Sequence, residues 1–278
     1  MKVFIRIKPP SKWKVNHLER GLKKRNFVAE YSKKEKLDNS AEILITNYLT
    51  EKELNSLRNL KYLIIPTSGT ENIPIEKLNK KGIKLYQNKR IIAEGVSNYA
   101  LDKLKTLIPS KADKFLKNKS VTLLGFGNIG KLIHNKLKKY GCKFYIVKKN
   151  KTSGNSTINL QEIDKILPQR DILINALPLN SDTKGALFDK TDLIKRGAII
   201  VNLSRKGILN EKAILKKVHE RYFFGAILDV YSEDISPSKI KSKHVIITPH
   251  IAGIYGDALN NMIKFIDETI IKIQEDTK

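Results

Sequence analysis

Three glycines, an arginine, a histidine and a lysine pair in this 278-residue chain have the types and settings to do chemistry together. Gly125-Phe126-Gly127-Asn128-Ile129-Gly130 follows the apolar run Val121 to Leu124. It opens a segment whose Ile129, Leu132, Ile133, Leu137 and Tyr140 fall on one helical stripe, ended by Gly141. Between strand and helix each glycine has a task. Gly125 permits the tight turn, Gly127 lets a pyrophosphate approach the backbone, and Gly130 lets helix and strand pack closely. The N–H groups at Asn128, Ile129 and Gly130 then meet the phosphates at the positive end of the helix dipole. Arg205 stands just past the apolar run Ala198 to Leu203, where open α/β sheets bind ligands. A guanidinium there polarises a carbonyl and holds a carboxylate, staying charged at any working pH. His250 follows Val245 to Thr248; histidine suits proton transfer, although a lone His at a strand end is more often structural. Lys148 and Lys149 close the run Phe144 to Val147, 18 residues after Gly130. A dinucleotide on the glycine turn would bring its ribose beside that strand end, where an acidic residue favours NAD and lysine favours a 2′-phosphate.

These residues need elements that bring several strand ends together. Short apolar runs alternate with helix-period segments along the chain, the pattern of parallel α/β sheets. A first series comprises Val3 to Ile7, Ile43 to Thr46, Tyr62 to Ile65 and Ile83 to Tyr86. A second comprises Val121 to Leu124, Phe144 to Val147, Ile172 to Leu177, Ala198 to Leu203, Gly225 to Asp229 and Val245 to Thr248. Near-continuous apolarity requires both sheet faces to be covered. Two amphipathic segments, about Ile91 to Leu107 and Tyr255 to Ile273, flank the second series and would carry the chain out of one domain and back into the other. The boundary is expected in Pro109 to Ser120 or in the helix before it. The expected fold class is therefore α/β: a Rossmann-type doubly wound parallel sheet at 95–253, set into a discontinuous, flavodoxin-like α/β domain at 1–94 and 254–278, with a cleft between them.

Composition narrows the function classes. Fifty-three basic against 28 acidic residues give a net charge of +25, which first suggests a nucleic-acid partner. Yet the lysines are dispersed, and only nine of the cations are Arg, the side chain that base and phosphate forks favour. A solvated lysine coat that attracts anionic substrates is the better reading. No apolar run approaches the roughly 20 residues of a membrane span. The N-terminus MKVFIRIKPP is too short and too charged for a secretory signal. The single cysteine, Cys142, excludes an internal disulfide, so a reducing cytoplasm is the expected location.

The blocks around these residues resemble the D-2-hydroxyacid dehydrogenases, the family of phosphoglycerate, glyoxylate and formate dehydrogenases. They are GFGNIG at 125–130, NALPLNSDTKG at 175–185, VNLSRKGILNEKAI at 201–214, GAILDVYSED at 225–234 and TPHIAG at 248–253. Earlier, IPTSGTENIP at 65–74 resembles the family's substrate-carboxylate loop and IAEGV at 92–96 its entry into the first interdomain helix. The resemblance implies hydride transfer between a nicotinamide cofactor and a small 2-keto acid. Arg205 would polarise the carbonyl, and His250 would protonate its oxygen. Asp229 would contact the nicotinamide end, Pro178 and Thr183 would line the cofactor cleft, and Ser68 and Gly69 would offer N–H groups to the substrate carboxylate. The other histidines, His17, His134, His219 and His244, are expected at the surface. With no regulatory domain after residue 278, glyoxylate or hydroxypyruvate is expected ahead of a phosphorylated substrate.

Three departures from the family pattern matter. The family's third catalytic residue is a Glu, where this chain has Asp234 preceded by Glu233; a carboxylate bonded to the imidazole would favour its charged form. The acidic residue after the second strand is replaced by Lys148, followed by Lys149, so NADP is expected first and NAD second. Only 30 residues separate Glu94 from Gly125, too few for the family's full dimer arm, which leaves a homodimer with a shortened arm. Two other readings compete: a cofactor-sensing scaffold like the C-terminal-binding-protein corepressors, and a nucleic-acid-associated protein.

Overall fold

The computed structural model describes residues 1–6, 28–31, 37, 39–67, 69–70, 72–108, 112–148 and 157–277, so Ser68 and Lys149 lie outside the described residues. The chain divides into two compact units, Met1–Gly95 with Gly253–Lys278, and Val96–Ala252.

The first unit is built on a five-stranded sheet. Its strands are β1 (Lys2–Arg6), β2 (Val28–Tyr31), β3 (Ile43–Thr46), β4 (Tyr62–Ile65) and β5 (Lys84–Gln87). They are ordered β2-β1-β3-β4-β5, and every pairing is parallel. This is the flavodoxin-like order. Phe4, Leu44 and Leu63 pack with Leu54 of α1 (Glu51–Ser56) and Leu78 of α2 (Ile75–Lys80). Thr50 and Glu53 close α1 with a reciprocal capping box. Glu53 also pairs with the buried Arg6 at the end of β1, at 2.5 Å. Burial works against ionisation of Glu53, but the Arg6 hydrogen bond and the Thr50 N–H outweigh it and hold the carboxyl down at about 2.

A 19-residue helix, α3 (Lys89–Leu107), carries the chain from the first unit into the second, and α4 (Ala112–Leu116) follows it. The second unit has seven strands, β6 (Ser120–Leu124), β7 (Lys143–Lys148), β8 (Thr157–Asn159), β9 (Ile172–Asn175), β10 (Ile199–Asn202), β11 (Gly225–Leu228) and β12 (Val245–Ile247). Their order is β12-β11-β10-β9-β6-β7-β8, again parallel throughout. This is the doubly wound Rossmann order extended by one strand, with the topological switch between β6 and β9. β9 and β10 are buried along their whole length, as the three apolar residues that open each of them require. Leu124, Val147, Leu173, Ile200 and Leu228 form a core with Ile214 and Val218 of α6 (Glu211–His219).

After β6 comes α5 (Asn128–Lys138), whereas the connection from β9 to β10 holds only one short 3₁₀ turn, Thr191–Leu193. Its Pro178, Gly185 and Gly197 punctuate the segment too often for a helix to propagate. The last helix, α7 (Ala258–Glu275), belongs to the first unit. Among the described residues no helix is long and apolar enough to cross a membrane.

Candidate functional site

The glycine turn behaves as its spacing demands. Gly125 has φ +91°, and a Cβ on it would lie 2.8 Å from the Ala176 carbonyl oxygen. A Cβ on Gly130 would lie 2.2 Å from the Gly125 oxygen, so only hydrogen fits where α5 crosses β6. Gly127 differs: a Cβ there would meet nothing of the protein. It forms the N-cap of α5 with no side chain capping the helix. Free N–H groups at Asn128 and Ile129, no acidic residue in the first turn and open space above Gly127 fit the pyrophosphate of a dinucleotide.

Lys148 is the last residue of β7, next to β6 in the sheet. Its Nζ lies 5.4 Å from the ring centroid of Phe126, inside the glycine turn. Strand pairing and this contact bring Lys148 to the turn that would hold the cofactor phosphates. Phe126 is itself backed by His134, whose ring sits between Phe126 at 5.5 Å and Phe144 at 4.4 Å. His134 is thus a half-buried packing residue rather than the expected surface one.

Arg205 lies three residues past β10, with Nη1 donating to the Ser204 carbonyl at 3.0 Å. Beneath this loop runs a buried polar chain that the sequence reading did not single out. Asn175 and Asn202 end β9 and β10, and the Asn175 amide donates to Asn202 Oδ1 at 3.0 Å. Asn202 donates to Glu211 Oε1 at 3.0 Å and accepts from the Ser204 N–H at 3.4 Å. Asn175 Oδ1 accepts from the Leu177 N–H at 3.2 Å, and the Ser204 hydroxyl donates to the Leu177 carbonyl. Polar residues ending two fully buried strands were the signal available.

Glu211 is 2% exposed. Burial, reinforced by the charge of Asp234, pushes its carboxyl up to about 7 despite the Asn202 hydrogen bond. The unfolded chain ionises Glu211 near its ordinary value, while the folded chain keeps the proton until about pH 7. Folding therefore loses stability as pH rises through this interval and levels off above it. Glu211→Gln is expected to remove on the order of 3 kcal/mol of that decline. Urea midpoints of parent and variant at about pH 5 and pH 8 check this; parallel pH dependences would refute it.

Thr183 and Pro178 form a turn of their own. The Thr183 hydroxyl, 5% exposed, donates to the Pro178 carbonyl at 2.5 Å and accepts from the Asn180 N–H at 2.9 Å. Thr183 shapes this loop from inside, and Pro178 is exposed.

Asp229 is 1% exposed and turns both carboxylate oxygens toward the segment that carries His250. Oδ1 accepts from the Thr248 hydroxyl at 2.6 Å and from the Ile251 N–H at 2.9 Å, and Oδ2 accepts from the Ala252 N–H at 3.0 Å. Tyr99, fully buried, bonds the Thr248 hydroxyl at 2.5 Å. His250 itself has φ +52°, and its N–H donates to the carbonyls of Asp229 and Thr248, each at 2.9 Å. Its backbone is clamped in the left-handed region while its side chain is exposed. Asp229, the residue expected to contact the nicotinamide, is thus also a buried anchor for the histidine turn.

The acidic pair is engaged with lysines. Glu233, with an 88% exposed side chain, pairs with Lys206, and Asp234 pairs with Lys212. Hydrogen bonds from those lysines hold both carboxyls below the usual carboxylate range. In the first unit Gly69, half-buried, lies just past β4, and its carbonyl accepts from the Thr67 hydroxyl at 3.4 Å. Cys142 is buried and its thiol pushed up to about 11, an inert packing group. Among the described residues no cluster of side chains could hold a metal ion.

Arg205 past β10, Asp229 at the end of β11, His250 past β12, Lys148 at the end of β7 and the glycine turn past β6 all stand on the carboxyl side of one parallel sheet. Comparison with known proteins identifies the kind of domain that carries this sheet. The family model described as "D-isomer specific 2-hydroxyacid dehydrogenase, NAD binding domain" matches residues 100–252. A glyoxylate reductase of Thermococcus litoralis is 25% identical over 82% of this chain and 78% of its own length. An erythronate-4-phosphate dehydrogenase of Wigglesworthia glossinidia brevipalpis is 30% identical over 70% of this chain and 53% of its own. Among solved structures, an NADPH-dependent glyoxylate/hydroxypyruvate reductase of Sinorhizobium meliloti, in complex with NADP and malonate, superposes with a TM-score of 0.75. It is 17% identical and covers 96% of this chain and 91% of its own.

Proposed function

Because the chain belongs to the D-isomer-specific 2-hydroxyacid dehydrogenases, nicotinamide-dependent oxidoreductases of small 2-keto and 2-hydroxy acids, we propose that it reduces glyoxylate or hydroxypyruvate with NADPH, using Arg205 and His250. The glycine turn of the second unit would hold the cofactor. When bound, the reduced nicotinamide supplies the hydride that reaches the keto carbon. Arg205 draws electron density from the keto group and pairs with the carboxylate, fixing which face of the carbon is open. The His250 side chain donates a proton to the carbonyl oxygen, so the product leaves as a neutral alcohol carrying its carboxylate. Asp229 and Thr248 hold the histidine turn still while this happens.

Lys148 carries the cofactor choice. Its ammonium stands at the glycine turn, where NAD-dependent Rossmann domains place a carboxylate for the ribose hydroxyls. A lysine about 4 Å from a 2′-phosphate contributes on the order of 1 to 4 kcal/mol, according to screening. Lys148→Asp is therefore expected to raise KM for NADPH about tenfold or more and to reverse the preference over NADH. Initial rates at low salt with glyoxylate, hydroxypyruvate and a phosphorylated keto acid test both halves of the proposal. Equal KM for the two cofactors would remove the NADP assignment. A specificity constant about tenfold higher for the phosphorylated acid would replace the substrate class.

A further inference from the structure

A basic cavity with aromatic lining lies on the amino side of the second unit's sheet, away from every residue of the proposed chemistry. It encloses about 710 Å³ and is bordered by the segments that lead into β10, β11 and β12. The strands between are four residues long, so it lies roughly 13 Å from the carboxyl edge. Its floor includes Tyr222, Phe224 and His244, all half-buried, and its rim carries the exposed Arg196, Arg221, Lys241 and Lys243. No carboxylate lines it. The two acidic side chains beside it in sequence are already engaged, Glu220 with Lys216 at 3.8 Å and Asp192 with Lys217 at 2.7 Å.

Four features set this cavity apart from the general lysine coat. Two of the chain's nine arginines stand on one rim, and arginine offers both a planar stacking surface and a fork for phosphate oxygens. Arg221 holds φ +57°, a conformation uncommon for a residue with a side chain, where glycine would be relaxed. A lining cation already meets a lining ring, with the Arg196 guanidinium 5.9 Å from the Tyr222 centroid, while Lys217, which does not line the cavity, has its Nζ 4.1 Å from the same centroid. His244, packed edge-on against Phe224 at 5.5 Å, adds a buried Nδ1 without a hydrogen-bond partner.

We propose that this cavity binds a nucleoside phosphate, its base against the Tyr222 and Phe224 floor and its phosphate on the arginine and lysine rim. A bare anion would need no aromatic floor, and an acidic peptide would leave it unused. Stacking on aromatic and guanidinium planes combined with phosphate neutralisation is the general chemistry of nucleotide capture. A cavity of several hundred Å³ suits one such unit. The unit could be a free nucleotide or part of a nucleic-acid single strand, and both present the same chemistry to the cavity.

The test uses the full chain saturated with NADPH, so that the glycine turn is filled. ATP is titrated by calorimetry, and a short fluorescein-labelled oligothymidylate by anisotropy. One site is expected for at least one probe, weakened at least tenfold in Arg196→Glu/Arg221→Glu and unchanged in Lys148→Asp. Keto-acid reduction should stay at the parent rate in the double variant, which shows that it folds. Tight binding of ATP alone identifies a free nucleotide as the source, and of the oligothymidylate alone a single strand. Binding of neither probe overturns the proposal. So does equal binding by parent and double variant, which is the lysine coat acting without a site. Inorganic phosphate displacing the probes as well as ATP does would overturn the role given to the floor.

Discussion

Replacing His250 with asparagine is expected to lower the turnover of keto-acid reduction roughly 10²- to 10⁴-fold, the usual worth of a positioned general acid. Asparagine is chosen because it tolerates positive φ, and His250 holds φ +52°. His250→Ala would remove the proton donor and also strain the turn. The asparagine variant removes only the donor. Its main-chain N–H can still reach the Asp229 and Thr248 carbonyls, so cofactor affinity and thermal midpoint should stay close to the parent values. The measurement is kcat with saturating NADPH and the best substrate of a glyoxylate and hydroxypyruvate panel. Near-parent turnover would remove His250 from the chemistry. A loss confined to KM would make it a binding residue.

Asp229→Ala is expected to cost roughly 2 to 5 kcal/mol of folding stability, because three donors lose a buried acceptor at once. The donors are the Thr248 hydroxyl and the N–H groups of Ile251 and Ala252. Tyr99, which bonds the same Thr248 hydroxyl, loses its ordered partner as well. Since the released turn carries His250, kcat should fall even at temperatures where the variant remains folded. Asp229→Asn separates the causes: its amide can accept one N–H but presents a donor to another, so intermediate losses are expected in both readouts. Urea midpoints and kcat on the same preparations decide it. An Asp229→Asn enzyme as stable and as active as the parent would show that the carboxylate is dispensable.

Much of the architecture was legible in the sequence because parallel strands buried on both faces write themselves as apolar runs. Ile43–Thr46 and Tyr62–Ile65 have the expected bounds, and the later runs differ from the strands by one or two residues. Two strands were missed, Val28–Tyr31 and Thr157–Asn159. The first has a charged residue in its middle. The second has three residues, all half-buried at the sheet edge, too short and too polar for periodicity to register. The glycine turn was legible because backbone sterics alone require Gly125 and Gly130. The inward role of Asp229, the Glu211–Asn202–Asn175 chain and the ion pairs of Glu233 and Asp234 were not legible. Each depends on which way a polar side chain turns at a strand end, and spacing in the chain does not encode that direction.

The order of the two units along the chain also shapes how the protein is made. The cofactor-type unit is one uninterrupted stretch, 96–252, flanked in the sequence by the two segments of the other. A ribosome adds about 5 to 20 residues per second, so residues 1–95 wait on the order of 10 s before Ala258–Glu275 is synthesised. During that delay the enclosed unit can complete its own sheet as a contiguous chain. The unit that emerges first still lacks the helix bearing Met262, Ile266 and Ile270, whose buried face it must cover. The middle of the polypeptide can therefore finish folding before its beginning, and a nascent chain arrested before residue 253 would expose the first unit to proteolysis while protecting the second.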